Sequence, residues 1–526
     1  MKACLILLLL AAVLPVSAQQ LPVDAVKGDY IVGALQLPEA GVLELQSPDG
    51  QLLRRQAAPA GESEFRFVAL QSGRYRAGLA SPQSQGRVWL TEQRPLEAQL
   101  PEVAAPEAPL ASPKLRALAN ELGAGTPAFW AAVQASGAPW IEPIPDHPQS
   151  WQVSFLWRGD ASTRSVRLFW PVRQGDQERF ARLPGTDVWH YSVRLPSGTR
   201  LAYQLAPDVP QLKGAGRQAQ RRAILARVQA DPLNLRRWAA GTPALGGFDN
   251  IQAEHSLLEL PGAPPEPWLE PRAEVPRGRV EHLRFQSQQL GNERRLTVYL
   301  PAQKSAEALP LLLLFDEDAY VTRVPTTTIL DNLIASGRIP PLMAVLVGNP
   351  TRESRSEELP CNPRFADMMA GELLPWLAAR YPVTREAGRT VVAGSSYGGL
   401  ASAWLALRHP ERFGRVLSLS GSFWWAPARP PGFVAGGLDD AAEGEWLTRQ
   451  YVAAPRSDVV FYLSPGLLER SAPSDGPGIL ETNRHLRDVL MARGQRVIYR
   501  EFAGGHDYVN WRSELAEGLI ALLGAP

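Results

Sequence analysis

The chain has 526 residues, of which 45% are hydrophobic and 20% charged, so it can bury sizeable cores and is too long for one ordinary domain. Its formal net charge of +1 gives no electrostatic reason to expect a nucleic-acid partner. The 48 prolines cluster between segments, which indicates linkers between several domains.

The first residues have the pattern of a secretory signal peptide, residues 1–18. Lys2 is followed by an apolar run from Leu5 to Leu14 and by small residues that end at Ala18. We expect cleavage after Ala18 and export. The alternative is an uncleaved anchor, but the run is shorter than a membrane-spanning helix, so we expect no stable membrane insertion. The mature chain would then hold one cysteine, Cys361, which cannot form an intramolecular disulfide.

Residues 24–100 predict a small all-β domain. Short alternating runs are separated by turns, and Phe65, Phe67 and Ala69 share one face of a strand. The segment resembles the pre-peptidase C-terminal type of sandwich domain appended to secreted hydrolases. A spacer or stabilising role is favoured over ligand binding.

A Pro/Ala-rich linker precedes the second predicted domain, residues 112–262. Alternating strands with aromatic residues run from about Trp151 to Trp238, which favours a second β sandwich. We interpret most of these aromatic side chains as core, because they bury large apolar areas. The basic run at residues 216–230 is interpreted as a solvated face.

The last predicted domain, residues 275–526, has a different pattern. Continuous apolar runs such as "LPLLLLFD" and "RTVVAGSS" are typical of strands buried on both faces of a parallel sheet. Helical segments lie between them. The alternation predicts a doubly wound, mostly parallel α/β domain.

Two serines lie at a strand-to-helix turn of this domain. Gly394-x-Ser396-x-Gly398 between a strand and a helix is the pattern of a nucleophile elbow. The glycines allow a sharp turn, and the helix dipole favours negative charge at the Ser396 oxygen. Ser395 is interpreted as a packing residue, and the backbone N–H of Tyr397 as an oxyanion donor. The alternative is a glycine-rich turn with an inert serine.

A serine hydroxyl needs a base to become a good nucleophile. His506 follows the last predicted strand and precedes the final helix, which is where the order Ser, acid, His places the base. Glu469, in the loop after "DVVFYLSPG", is the favoured acid, and Asp475 is the alternative. The second oxyanion donor is expected at the backbone N–H of Glu317 or Asp318.

Together these motifs resemble the enterochelin (enterobactin) esterase family, with an α/β-hydrolase catalytic domain. The resemblance covers the second and third domains and rests on "LFDEDAY", "ESRSEELPCN", "VVAGSSYGGLASAWLALRHPERFGRVLSLSGSFWW", "GLLE", "GGHDYVNWR" and "ADPLNL". Leu235 stands where the family's Asp-Pro-Leu-Asn motif continues with proline.

The resemblance implies hydrolysis of the ester bonds of a catecholate trilactone siderophore, usually in its ferric form. It implies substrate contacts at Arg355, Trp424, Trp425 and Trp511, because arginines and aromatic rings suit an anionic, aromatic ligand. It implies no cofactor, since iron enters only as part of the substrate. With the export signal, the periplasm is the expected compartment.

Two other functions stay open on the sequence. A generic secreted carboxylesterase, acting on acetyl or feruloyl esters, would share the elbow and the histidine. A non-catalytic siderophore-binding protein would share the fold, although the intact set of Ser396, His506 and Glu469 argues against it. The sequence has no His-Glu-x-x-His motif and no carboxylate cluster at ligand spacing, so we expect no catalytic metal.

Overall fold

The structure is a computed structural model that describes residues 20–81, 85–100, 105–120, 126–172, 178–238, 255–303, 307–427, 444–470 and 477–524. The expected signal peptide lies outside the described residues. The chain divides into two compact units. Residues 20–100 together with Pro210–Arg227 belong to the first, and the remaining described residues belong to the second.

The first unit is a β sandwich. Its described strands pair in the orders β1-β6-β3-β4 and β5-β2-β7. Strands β1–β7 are Gln20–Ala25, Tyr30–Leu37, Gly41–Gln46, Leu52–Ala58, Gly61–Val68, Gly73–Leu79 and Arg87–Arg94, and Leu96–Ala98 is a short 3-10 helix. Alternate side chains face inward, so Phe65, Phe67 and Ala69 lie in one buried core, as the alternation predicts.

The helix Arg217–Leu225 also belongs to this unit. Ala223 and Ala226, at its buried side, pack with Tyr30 in a small apolar cluster. Arg54 donates to the carbonyl oxygens at the end of the helix, at 3.4 and 3.3 Å. The interpretation of this basic run as a solvated face was therefore wrong for one side, because its alanines form an apolar stripe between the arginines.

The second unit begins with another β sandwich. Strands β8–β15 are Trp140–Pro143, Ser150–Arg158, Val166–Phe169, Ala181–Arg182, Val188–Pro196, Arg200–Pro207, Arg237–Trp238 and His255–Glu259. They pair in the orders β11-β12-β9-β8 and β10-β13-β15-β14, and the helices Pro113–Asn120 and Pro127–Ser136 precede them. Phe155, Trp170, Phe180 and Trp189 are in its core, which agrees with the interpretation of these aromatic residues.

The Asp-Pro-Leu-Asn segment forms a buried hydrogen-bond network in this sandwich. The Asp231 carboxylate accepts from the Tyr203 hydroxyl at 2.7 Å. The Asn234 side-chain amide donates to that hydroxyl at 3.1 Å and to the Leu257 carbonyl at 3.0 Å. Leu235 is 85% exposed, so the replaced proline lies outside the network.

The rest of the second unit is built on one large sheet. Strands β16–β23 are Arg279–Ser287, Asn292–Leu300, Leu311–Phe315, Met343–Val347, Thr390–Ser395, Arg415–Leu419, Val460–Ser464 and Arg496–Tyr499. The α-helices described here are Glu317–Thr322, Thr326–Ala335, Arg352–Glu358, Pro363–Met368, Leu374–Ala378, Tyr397–Arg408, Trp446–Ala453, Ile479–Ala492 and Tyr508–Leu523. The strand order is β16-β17-β19-β18-β20-β21-β22-β23. The β16–β17 and β17–β19 pairs are antiparallel, and the remaining pairs are parallel.

The sheet is buried on both faces. Leu311 and Leu313 of β18 pack in one core, while Leu312 and Leu314 pack in the other. This confirms the predicted doubly wound, mostly parallel fold. From β18 the chain passes to β19 on one side and later to β20 on the other, so the strand order reverses at β18. Ligands of such sheets bind outside the carboxyl ends of the strands at this reversal.

Candidate active site

Ser396 lies at a strained turn at the carboxyl end of β20. Strand β20 ends at Ser395, and the next helix begins at Tyr397. The backbone of Ser396 has φ 56° and ψ −120°, a conformation that non-glycine residues rarely adopt. Strain of this kind persists only where the surrounding structure holds it, and it concentrates at functional sites. The geometry is that of a nucleophile elbow.

The glycines around Ser396 are required by close packing. A Cβ atom at Gly394 would lie 2.7 Å from the backbone carbonyl carbon of Gly398. A Cβ atom at Gly399 would lie 2.4 Å from the Ser418 hydroxyl oxygen. Both distances are too short for a side chain, so the glycines let the helix approach the strands closely enough to form the turn.

His506 and Glu469 are brought together from loops after β23 and β22. Nδ1 of His506 lies 2.5 Å from Oε1 of Glu469, and Oε2 of Glu469 accepts from the backbone N–H of Gly466 at 2.5 Å. The glutamate side chain is 1% exposed and the imidazole 33% exposed. Such a carboxylate holds the imidazole in one orientation and fixes the proton on Nδ1.

The other candidate acids are placed differently. Asp475 lies outside the described residues. Asp507 caps the helix Tyr508–Leu523, where its carboxylate accepts from the backbone N–H of Val509 at 3.4 Å. Burial raises the pKa of Asp507 to about 6. Of the described candidates, Glu469 is the one bonded to the imidazole.

The Ser396 hydroxyl is paired with another serine. Its Oγ lies 3.1 Å from Oγ of Ser422, and the backbone N–H of Ser422 donates to the Ser396 carbonyl at 3.1 Å. In the described structure the hydroxyl makes no hydrogen bond to His506. Catalytic hydrogen bonds of unliganded enzymes often form only when substrate binds, so the contact with Ser422 is compatible with a catalytic role for Ser396.

Trp511 packs against the imidazole ring of His506. It is 3% exposed, and its ring meets the His506 ring edge-on at 4.7 Å between centroids. Its indole N–H donates to Ser420 Oγ at 2.9 Å. The expected substrate contact is therefore corrected, since the helix face that carries Trp511 turns into the core.

Arg355 has an internal partner. Its guanidinium donates to both oxygens of Asp316, at 2.7 and 2.8 Å, and Asn349 donates to the same carboxylate at 2.8 Å. Burial lowers the pKa of Arg355 and Asp316 raises it, with a net rise. The side chain is 27% exposed. Arg355 therefore has an internal partner that the sequence did not reveal, and its contact with substrate stays a prediction.

The two expected oxyanion donors lie at helix starts. Glu317 and Tyr397 are the first residues of the helices Glu317–Thr322 and Tyr397–Arg408, which follow β18 and β20. The N–H groups of a first helical turn have no partner within the helix, so they are available to an oxyanion. The Arg355 pair holds Asp316, the residue just before Glu317.

An aromatic surface adjoins the elbow. The Tyr397 ring lies 6.2 Å from the ring of Trp424, which is 42% exposed, and 5.7 Å from the Arg355 guanidinium carbon. Trp425 packs against the core and meets Trp446 edge-on at 6.1 Å. The side chain of Tyr397 was missed by the sequence reasoning, although its place directly after Ser396 was a usable signal.

A cavity in the part of the chain described here does not involve the candidate site. A cavity of about 730 Å³, lined by residues such as Leu300 and Trp376, contains none of the candidate site residues. Among the described residues, no group of three or more His, Cys, Asp or Glu side chains could hold a metal ion. No described helix is both long enough and apolar enough to span a membrane.

The fold, the elbow and the acid–histidine pair define an esterase of the α/β-hydrolase class. Residues 287–522 match the family described as "Putative esterase", and residues 152–269 match "Enterochelin esterase, N-terminal". The chain is 32% identical over 420 residues to the iron(III) enterobactin esterase of Escherichia coli, covering 76% of this chain and 97% of the relative.

Solved structures agree with this class. The ferric enterobactin esterase from Salmonella typhimurium is 30% identical, with 75% of this chain and 98% of that chain covered and a TM-score of 0.60. The enterobactin esterase from Shigella flexneri, solved in the presence of enterobactin, is 30% identical, with 76% and 99% covered and a TM-score of 0.57. This chain belongs to the enterobactin esterase family.

Proposed function

We propose that the protein hydrolyses the ester bonds of a catecholate trilactone siderophore of the enterobactin type and thereby releases its iron. The observation that carries this proposal is the His506–Glu469 pair, which accompanies the strained Ser396 elbow in a member of this family. Membership of the family favours this substrate over the acetyl or feruloyl esters of a generic carboxylesterase.

The proposed reaction is serine acyl transfer. His506 takes the Ser396 proton on Nε2 while Oγ attacks the ester carbonyl carbon, and Glu469 stabilises the imidazolium that forms. Backbone N–H groups of Tyr397 and Glu317 stabilise the negative oxygen. The imidazolium then protonates the departing seryl alkoxide. A water molecule, deprotonated by the same imidazole, hydrolyses the acyl-enzyme and restores Ser396.

The surroundings of Ser396 suit an anionic aromatic substrate. The rings of Tyr397 and Trp424 offer faces on which catechol rings can stack. Arg355 adds a partly exposed guanidinium at the same surface. Because Asp316 already holds that guanidinium, the aromatic rings supply most of the recognition in this proposal.

Ser396→Ala tests the reaction. With ferric enterobactin, kcat should fall by about six orders of magnitude, as in other triad knockouts, while binding persists. Mass spectrometry of the linear trimer, dimer and monomer measures turnover, and fluorescence quenching measures binding. Normal turnover by a folded Ser396→Ala protein would overturn the proposal.

Trp424 tests the substrate class. Trp424→Ala should raise KM for ferric enterobactin about fivefold, the equivalent of one lost ring contact of about 1 kcal/mol, and should leave hydrolysis of p-nitrophenyl acetate unchanged. Trp424→Phe is the matched control and should keep most of the affinity. An equal loss on both esters would favour a generic carboxylesterase.

We also propose that the protein is exported to the periplasm. The support is the sequence pattern of Lys2, the apolar run Leu5 to Leu14 and the small residues before Gln19. The mature protein should begin at Gln19 and be released by osmotic shock. Leu8→Arg, which interrupts the apolar run, should keep the protein in the cytoplasm, and an unchanged location would contradict the proposal.

A further inference from the structure

The loops that carry the candidate acid and the candidate base are bonded to each other. The backbone N–H of Leu467 donates to the Phe502 carbonyl at 2.9 Å, and that of Leu468 donates to the Gly504 carbonyl at 3.0 Å. A bridge of the parallel type joins Gly466 to Phe502. A displacement of one loop therefore moves the other.

The β8–β15 sandwich contacts this joined pair of loops. The Arg200 backbone N–H donates to the Ala503 carbonyl at 3.0 Å, and the His506 backbone N–H donates to the Pro171 carbonyl at 3.4 Å. Leu468 packs against the sandwich core. The sandwich thus holds the backbone directly beside both candidate catalytic side chains.

Gly505 shows how close this contact is. A Cβ atom there would lie 2.7 Å from the Pro171 carbonyl oxygen and 3.3 Å from its Cγ. The φ angle of Gly505 is outside the positive range, so the glycine is not needed for its conformation. It is needed because the two backbones approach closely.

A carboxylate in the segment after the sandwich makes a second connection. Glu266 accepts from Arg512 at 3.0 and 2.6 Å and from the Ser513 hydroxyl, and it lies 3.4 Å from the Arg200 guanidinium of the sandwich. Its side chain is 12% exposed. Arg512 and Ser513 are in the helix Tyr508–Leu523, which starts two residues after the candidate base.

We propose that the β8–β15 sandwich, through Pro171 and Glu266, positions the His506–Glu469 pair, so that the sandwich sets the rate of the chemical step. The inference rests on the proposed esterase function. An error of about 1 Å in the position of a catalytic group costs about 100-fold in rate. Two backbone hydrogen bonds reach the chain at His506 and at Ala503, three residues before it. The Glu266 cluster holds the helix at Arg512 and Ser513, six and seven residues after His506, and together these contacts oppose such errors.

Gly505→Ala is the direct test. Relief of the clash requires the loop to move by about 0.5–1 Å, so kcat should fall about 10- to 100-fold with KM unchanged. The downfield proton resonance of His506 Nδ1, identified by its absence in His506→Ala, should shift, which a purely structural change elsewhere would not cause. Gly388→Ala is the matched control, because a Cβ atom there meets nothing within 4 Å.

Glu266→Gln is the second test and covers the case in which Gly505→Ala does not fold. It keeps the volume and removes the charge, so kcat should fall about three- to tenfold, with the same proton resonance shifted. Glu274→Gln, at an exposed carboxylate in the same segment, is the control.

Ser396→Ala separates the positioning proposal from the proposed function. If it abolishes turnover while Gly505→Ala and Glu266→Gln keep normal kcat, the positioning role is wrong. If Ser396→Ala retains turnover, the proposed function itself is wrong.

Discussion

Replacement of Glu469 by glutamine gives a sharp test of the site. The carboxylate accepts two hydrogen bonds, one from His506 Nδ1 and one from the Gly466 N–H. Glutamine has one oxygen and one NH₂ group. If its oxygen faces Gly466, the NH₂ faces Nδ1 and selects the wrong tautomer, in which Nε2 carries the proton. If its oxygen faces His506, two N–H donors oppose each other in a buried position.

The loss can be estimated from the geometry. A carboxylate and an imidazolium with charge centres about 4 Å apart attract by about 4 kcal/mol at the effective dielectric near a protein surface. That interaction forms only when His506 takes the proton, so its loss raises the barrier and lowers kcat by about 10³-fold. The wrong tautomer of His506 would lower kcat further, and we expect a total loss of kcat of at most about 10⁴-fold.

The assay is single-turnover hydrolysis of ferric enterobactin, with rapid quench and mass spectrometry. Circular dichroism and thermal melting check that Glu469→Gln is folded. Glu62→Gln, an exposed carboxylate of the first unit, is the control and should keep full activity. A folded Glu469→Gln protein within tenfold of wild-type kcat would refute the assignment. Asp475→Asn should be nearly silent, and a 10³-fold loss there would transfer the role to Asp475.

Three more perturbations follow from particular contacts. Ser422→Ala removes a hydrogen bond of about 1 kcal/mol to the Ser396 hydroxyl, which then becomes free to bond its base. Labelling of Ser396 by a fluorophosphonate should become about fivefold faster, and tenfold slower labelling would contradict this. Arg355→Lys loses one of two charge-assisted bonds to Asp316, so the free energy of unfolding measured in urea should be about 2 kcal/mol lower. Turnover of charged and neutral esters should fall alike. Loss of the siderophore activity alone would instead mean that Arg355 contacts the ligand directly. Burial, with a smaller effect of a nearby arginine, lowers the pKa of His255 to about 4. Between about pH 6.5 and pH 4 the unfolded chain binds a proton at this histidine that the folded chain does not. The contribution of His255 to stability is therefore complete above about pH 6.5 and is lost as the pH falls toward 4. His255→Gln should flatten the stability curve between pH 7.5 and 4.5 in urea titrations, and an unchanged slope would contradict the assignment.

Local patterns in the sequence predicted the fold and the elbow well, for a physical reason. The runs that become β18 and β20 are apolar on both faces, and glycines mark the turn at Ser396, so each feature is readable from a few adjacent residues. Family membership is likewise supported by short motifs spread over two domains.

Pairings between distant residues were not readable. Arg355 and Asp316 are 39 positions apart, and nothing in either segment reveals that the arginine is already paired. The face of Trp511 depends on how its helix packs, so a ring that could meet a ligand is instead 3% exposed. The contact of Gly505 with Pro171 joins segments more than 300 residues apart, and only the folded chain shows it.

The placement of the helix Arg217–Leu225 has a consequence for any attempt to shorten the protein. Although the first sandwich is formed by the start of the sequence, its unit also includes this helix, which the chain supplies between β13 and β14 of the other unit. Removal of residues 20–100 would take away Tyr30, Val32 and Val68, against which Ala223 and Ala226 are buried, and would expose that side of the helix to water. The first unit is therefore not a single continuous segment of the sequence, and a shortened protein would keep a helix whose buried side has lost its partners.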